Sequence, residues 1–180
     1  MHLHGSFLLS SEWEMEIKEV HRELMSWKMN HEECRRIMER LGKSKSKLSY
    51  LHSDGVQKAT QLTSISSSRI QVRVLDEMEE DLTALTSLQN NMIASLLHME
   101  DALKAIPAAG VFSVCPRLLS SVVEQLLQQT LLESSLKDRL FSLEASDQDS
   151  LLTLLACFSY TPYVNNADLE SILKCRESSS

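Results

Sequence analysis

The chain has 180 residues, 18 Lys+Arg against 25 Asp+Glu for a net charge of −7, and is 43% hydrophobic and 24% charged. That is apolar enough for a packed core and excludes the polar, highly charged class that stays disordered. Four glycines and three prolines are too few turn signals for an all-β sandwich or barrel, and a nucleotide-binding α/β enzyme is not expected without a GxGxxG or GxxxxGK[ST] motif. Net acidity also argues against a wrapping contact with nucleic acid, which needs a Lys/Arg face to neutralise phosphates.

Residues 1–11 read as a flexible tail, with too short an apolar stretch and no basic lead-in for a signal peptide. From Trp13 the apolar positions alternate by four and three through Ile17, Val20, Leu24, Trp27, His31, Cys34, Met38 and Leu41. That is a heptad seam, and it predicts a first long helix. Ser10 or Ser11 is its expected cap, Glu12, Glu14 and Glu16 suit its start and Arg35, Arg36 and Arg40 its end, with Gly42 as its natural stop.

Residues 42–69 then read as a connector, in which the basic cluster Lys43, Lys45, Lys47 alternates with serines and is expected to be solvated. A helix is expected to begin after Gly55, and the strong pattern returns at Leu75, Met78, Leu82, Leu85, Gln89, Met92, Leu96, Met99, Leu103 and Ile106. At about 1.5 Å rise per residue each rod runs roughly 45 Å, so an antiparallel hairpin over 12–106 matches their lengths. Each rod carries a single seam and needs a partner helix to cover it.

Pro107 and Gly110 break the second rod. Pro116 suits the N1 position of a third helix reaching about Leu143, whose leucines and valines cover more than one stripe and predict burial between neighbours. Ser146 opens a cap signal with Asp147 and Asp149 in the first turn of a short helix carrying Leu151, Leu152, Leu154, Leu155 and Phe158, stopped at Thr161-Pro162. Asn165 or Asn166 caps a last helix with Leu169, Ile172 and Leu173. The expected fold is all-α: a long antiparallel coiled-coil hairpin followed by a compact C-terminal helical bundle over 107–180.

No chemistry-bearing constellation emerges. The six histidines have no HExxH, and the four cysteines, Cys34, Cys115, Cys157 and Cys175, form no CxxC pair and read as reduced thiols. No catalytic, metal or cofactor-binding residue is assigned. Asp76, Glu77, Glu79, Glu80 and Asp81 flank seam positions and read as the outer face of the coiled coil. Thr161-Pro162 is a minimal proline-directed phosphoacceptor, and Arg22-Glu23-Leu24-Met25 an RxL-type element whose Leu24 belongs to the seam. No apolar run approaches the roughly 20 residues that a membrane helix needs, so an intracellular, soluble protein is expected.

One resemblance covers the last third of the chain. Asp147-Gln148-Asp149, then twelve residues to Pro162-Tyr163-Val164, then Leu169-Glu170-Ser171 and Leu173, resembles the DxD, PYV and LESxL pattern of the cyclin-dependent kinase 2-interacting protein (CINP) family, with a shorter gap before LES. The Leu-rich run Leu131 to Leu140 is similar to the helix leading into that pattern. The resemblance implies a nuclear, non-enzymatic adaptor that binds a cyclin-dependent kinase and the Cdc7 kinase. It also implies an accessory subunit of a AAA ATPase assembly in DNA replication, checkpoint signalling and ribosome maturation. Partner-binding candidates are Leu155, Phe158, Tyr160, Pro162 and Tyr163, since a few aromatic and aliphatic anchors carry most interfaces. The alternative is a coiled-coil subunit of a kinetochore, centrosomal or vesicle-tethering complex.

Overall fold

The computed structural model describes residues 14–52, 67–106, 114–144 and 147–177. The described chain is all-helical: α1 (Glu14–Leu51), α2 (Ser67–Ala105), α3 (Val114–Ser142), α4 (Gln148–Ser159) and α5 (Asn166–Glu177). The expected tail, Trp13, the stretch 53–66 and the segment 107–113 lie outside the described residues.

The two rods form the antiparallel hairpin that their seams require. Glu23 meets His98, Ser26 meets Ser95 and Arg40 meets Asp81, so the partner's number falls as α1 climbs. From Val20 to Leu41 every seam position of α1 is buried. On α2, Leu85, Gln89, Met92, Leu96 and Met99 fill the facing stripe, and Cys34 Sγ lies 3.8 Å from Met92 Sδ. The entry to this second seam differs from the expectation: Leu75 is exposed and Val74 is buried, one full helical turn before Met78.

The first rod also ends later than the sequence suggests. α1 passes through Gly42, which is itself buried, and ends at Leu51, where His52 Nδ1 sits 2.6 Å from the Leu48 carbonyl. Gly42 therefore serves close packing instead of termination: a Cβ there would stand 2.5 Å from Leu155 Cδ1 on α4. Lys45, expected in a solvated connector, is buried and donates to the Leu140 carbonyl. That carbonyl is one of the last four of α3, which have no intrahelical donor, so the lysine closes a helix end from across the bundle. Burial pulls the Lys45 ammonium below its ordinary pKa.

α3 turns the hairpin into a three-helix core. Its residues Leu119, Val122, Leu126, Leu136 and Leu140 join the seam cluster. It runs alongside α1 in the same direction, with Trp27 against Thr130 and His31 against Glu133. Thus α1 is covered by α2, by side chains of α3 and by α4 at Gly42, where its single seam predicts one partner. The helix begins at Val114, two residues ahead of Pro116, so the proline sits in the first turn, where its missing N–H costs no hydrogen bond.

A polar layer crosses this core. Trp27 stacks on His31 with ring centroids 5.0 Å apart, and its Nε1 donates to Thr130 Oγ1 at 3.0 Å. The fully buried Glu133 accepts from Gln129 Nε2 at 2.7 Å and lies 2.8 Å from His31 Nε2. His31 Nε2, Glu133 Oε2 and Gln129 Oε1 have no hydrogen-bond partner within the described residues. Such a layer costs stability relative to an apolar core and restricts which helix faces can meet, because any slip in register strands more buried polar atoms.

Candidate docking surface

The C-terminal pattern folds into two short helices joined by a pinned turn. Asp147 caps α4 by accepting from the Ser150 backbone N at 3.0 Å. Hydrogen bonds from Ser150 hold its carboxyl below the ordinary range. Asp149 follows in the first turn of the helix, and the expected Ser146 lies outside the described residues. α4 ends at Ser159, where Tyr160 N–H returns to the Ala156 carbonyl at 3.0 Å.

From Tyr160 to Asn165 the backbone is tied at three points. Val164 N donates to the Thr161 carbonyl at 3.1 Å, and Asn165 N donates to Gln125 Oε1 on α3 at 2.9 Å. The Asn165 side chain caps α5 through Ala167 N at 3.1 Å. Val164 packs half-buried against the core, while Leu169 and Ile172 are buried in it.

This arrangement separates the five predicted partner-binding residues. Tyr160, Pro162 and Tyr163 are brought together on the outside of the turn, with the two tyrosines 78% and 46% exposed. Leu155 is half-buried on the face of α4 that meets Gly42. Phe158 is 1% exposed and belongs to the core. It supports α4 from within and offers no surface to a partner. Thr161 is half-buried, and Leu24 of the RxL-type element lies in the core.

Two exposed apolar features escaped the sequence reading. Leu152 is 64% exposed, although it sits among leucines expected to be buried. The signal was available: Leu151, Leu154, Leu155 and Phe158 define one helical face, and Leu152 falls off it. On α3, Leu127 and Leu131 point outward one turn apart, 42% and 58% exposed, on a helix expected to be sandwiched. The stripe of α3 is broader than its neighbours cover.

Cys34 is buried beside Met92, and burial, with Glu133 and Glu33 nearby, pushes its thiol up to about 12. A thiol so raised stays protonated and is a poor nucleophile. In the acidic run of α2, Asp81 binds Arg40, with Nη2 to Oδ1 at 2.6 Å, while Asp76, Glu77, Glu79 and Glu80 face solvent. Among the described residues, no group of three or more His, Cys, Asp or Glu side chains is placed to hold a metal ion. None of their helices is long and apolar enough to cross a membrane.

No protein-family model matches the chain, and neither the curated proteins nor the solved structures yield a match.

Proposed function

We propose that this chain is a non-enzymatic helical adaptor of the kind that the CINP resemblance implies. In that reading it is nuclear, binds a cyclin-dependent kinase and a Cdc7-type kinase, and serves as accessory subunit of a AAA ATPase assembly in DNA replication, checkpoint signalling and ribosome maturation. One observation carries the proposal. Several residues of the DxD, PYV and LESxL pattern have work to do inside the fold: Asp147 caps α4, Val164 packs on the core and Leu169 is buried in it. Pro162, two residues past the Tyr160 C-cap, keeps α4 from continuing. Tyr163 and the adjacent Tyr160 have no such work, and both side chains face solvent on a turn held by Gln125. A rigid turn presenting aromatic side chains loses little entropy on binding, which favours it as an anchor.

The test is affinity purification of the full chain from cells, with and without alanine at Tyr160 and Tyr163. Recovery of AAA ATPase subunits or replication kinases that depends on the two tyrosines supports the proposal. The alternative, a coiled-coil subunit of a kinetochore, centrosomal or tethering complex, draws support from Ile93 and Leu97 on α2 and Leu127 and Leu131 on α3, all exposed along the rods. It predicts that binding maps to these residues and ignores the turn.

A further inference from the structure

An apolar groove of about 810 Å³ opens beyond the point where α4 crosses α1, with Leu51, Ile70, Val74, Leu151, Leu152 and Leu155 on its walls. Its origin is geometric. Gly42 makes room on α1 for the Leu155 side chain of α4, and α1 then continues past the crossing to Leu51, while the first turns of α2 bring up Ile70 and Val74. Three helices meet around a space that they do not fill, and Leu152 and Ile70 are 64% and 37% exposed. The volume lies within the roughly 300–1,000 Å³ typical of sites that enclose a few side chains or a small ligand.

The rim of the groove has a sign. Lys43 and Lys47 stand one turn apart on α1 and line it, against a single carboxylate, Glu39. Both lysines are exposed and neither makes an ion pair among the described residues, whereas Arg36, Arg40, Arg73 and Lys104 each hold a carboxylate. On the far side of this ridge the same lysines border a cleft containing Glu77, Glu80 and Asp81, of which Asp81 is engaged by Arg40 and Glu77 by Arg73. Within the groove itself Lys43 and Lys47 outnumber Glu39, in a chain of net charge −7.

We propose that this groove is the docking site for an acidic amphipathic helix of a partner protein. The helix lays apolar residues at i, i+3, i+4 and i+7 against the leucines and directs Asp or Glu side chains to Lys43 and Lys47. The inference deepens the adaptor reading, on which it rests, by adding a second contact distinct from the Tyr160–Tyr163 turn.

The experiment places p-benzoylphenylalanine at Leu152 of the full chain in cells, or at Ile70 if the first variant fails to fold, and sequences the peptides crosslinked by light. The expected product is a partner segment with helically spaced apolar residues flanked by Asp and Glu. Its yield is expected to fall about tenfold in Lys43→Glu/Lys47→Glu, because like charges then face each other across the contact. The proposal is overturned by absence of a crosslink, or by crosslinks to residues 53–66 of the same chain, to a second copy, to lipid or nucleic acid, or to a basic segment. A yield indifferent to the charge reversal overturns it equally. If the tyrosine variants lose capture while the groove variants keep it, the groove fails and the adaptor reading stands.

Discussion

A methyl group added at Gly42 would sit 2.5 Å from Leu155 Cδ1 and 3.3 Å from its Cγ, so the absence of a side chain at this point of α1 makes room for the Leu155 side chain of α4. A glycine inside a helix costs about 1 kcal/mol relative to alanine. Here that cost is tied to the seat of Leu155 on the hairpin.

The pair is therefore expected to be coupled. Gly42→Ala should gain less than the roughly 1 kcal/mol of helix propensity, because the added methyl must push the Leu155 side chain aside. In a Leu155→Ala background the same substitution should raise stability by up to about 1 kcal/mol. Chemical denaturation of the four proteins measures the coupling, and equal effects in both backgrounds would contradict the packing account.

The polar layer makes a second prediction. Thr130→Val keeps the shape of the side chain but removes the acceptor of the buried Trp27 Nε1–H. The loss should be about 1–3 kcal/mol, the cost of an unsatisfied buried donor, while Thr130→Ser retains most of the stability. A neutral Thr130→Val would mean that the indole N–H finds another partner.

Acid should destabilise the fold through two identified carboxyls. Burial pushes Glu23 upward, but hydrogen bonds from Ser95 and Arg22 outweigh it and hold the group below its ordinary value. Asp147 is held low by Ser150. Both groups release their protons more readily when folded, so the unfolded chain binds more protons in acid. Their contribution is complete above the unfolded range of about pH 4 and is lost as pH falls through the lower folded values. Thermal melts should show the midpoint dropping below about pH 4, with a shallower drop in Glu23→Gln/Asp147→Asn. An unchanged acid slope in that variant would refute the assignment.

Much of this architecture was legible in the sequence. The four-three alternation from Val20 to Leu41 marks the buried stripe of α1, and Pro107 marks the end of α2 within two residues. What escaped reading were choices made by tertiary contacts. Gly42 carries the local signature of a helix stop, and only the arrival of Leu155 reveals it as a contact point. Val74 and Leu75 are equally apolar, and the crossing of α2 over α1 decides which is buried. Trp27 and His31 fit a two-helix seam by spacing, yet they turn to α3, because Thr130 and Glu133 supply polar partners from about a hundred residues away. In the candidate surface, all five residues were chosen for apolar character. Periodicity alone could not place Tyr160, Pro162 and Tyr163 outside while sending Phe158 inside. Phe158→Ala would cost about 3–5 kcal/mol through its cavity and would report on folding, not on docking.

Capture by the aromatic turn is the most direct test of the adaptor proposal. The full chain and its Tyr160→Ala/Tyr163→Ala variant would be purified from cells in parallel, with circular dichroism confirming equal helicity. The account predicts that the unmodified chain brings down AAA ATPase subunits or replication kinases and that the variant loses about tenfold of that recovery, as for removal of interface anchors. Equal recovery by the two proteins, or none of these partners with either, would contradict it.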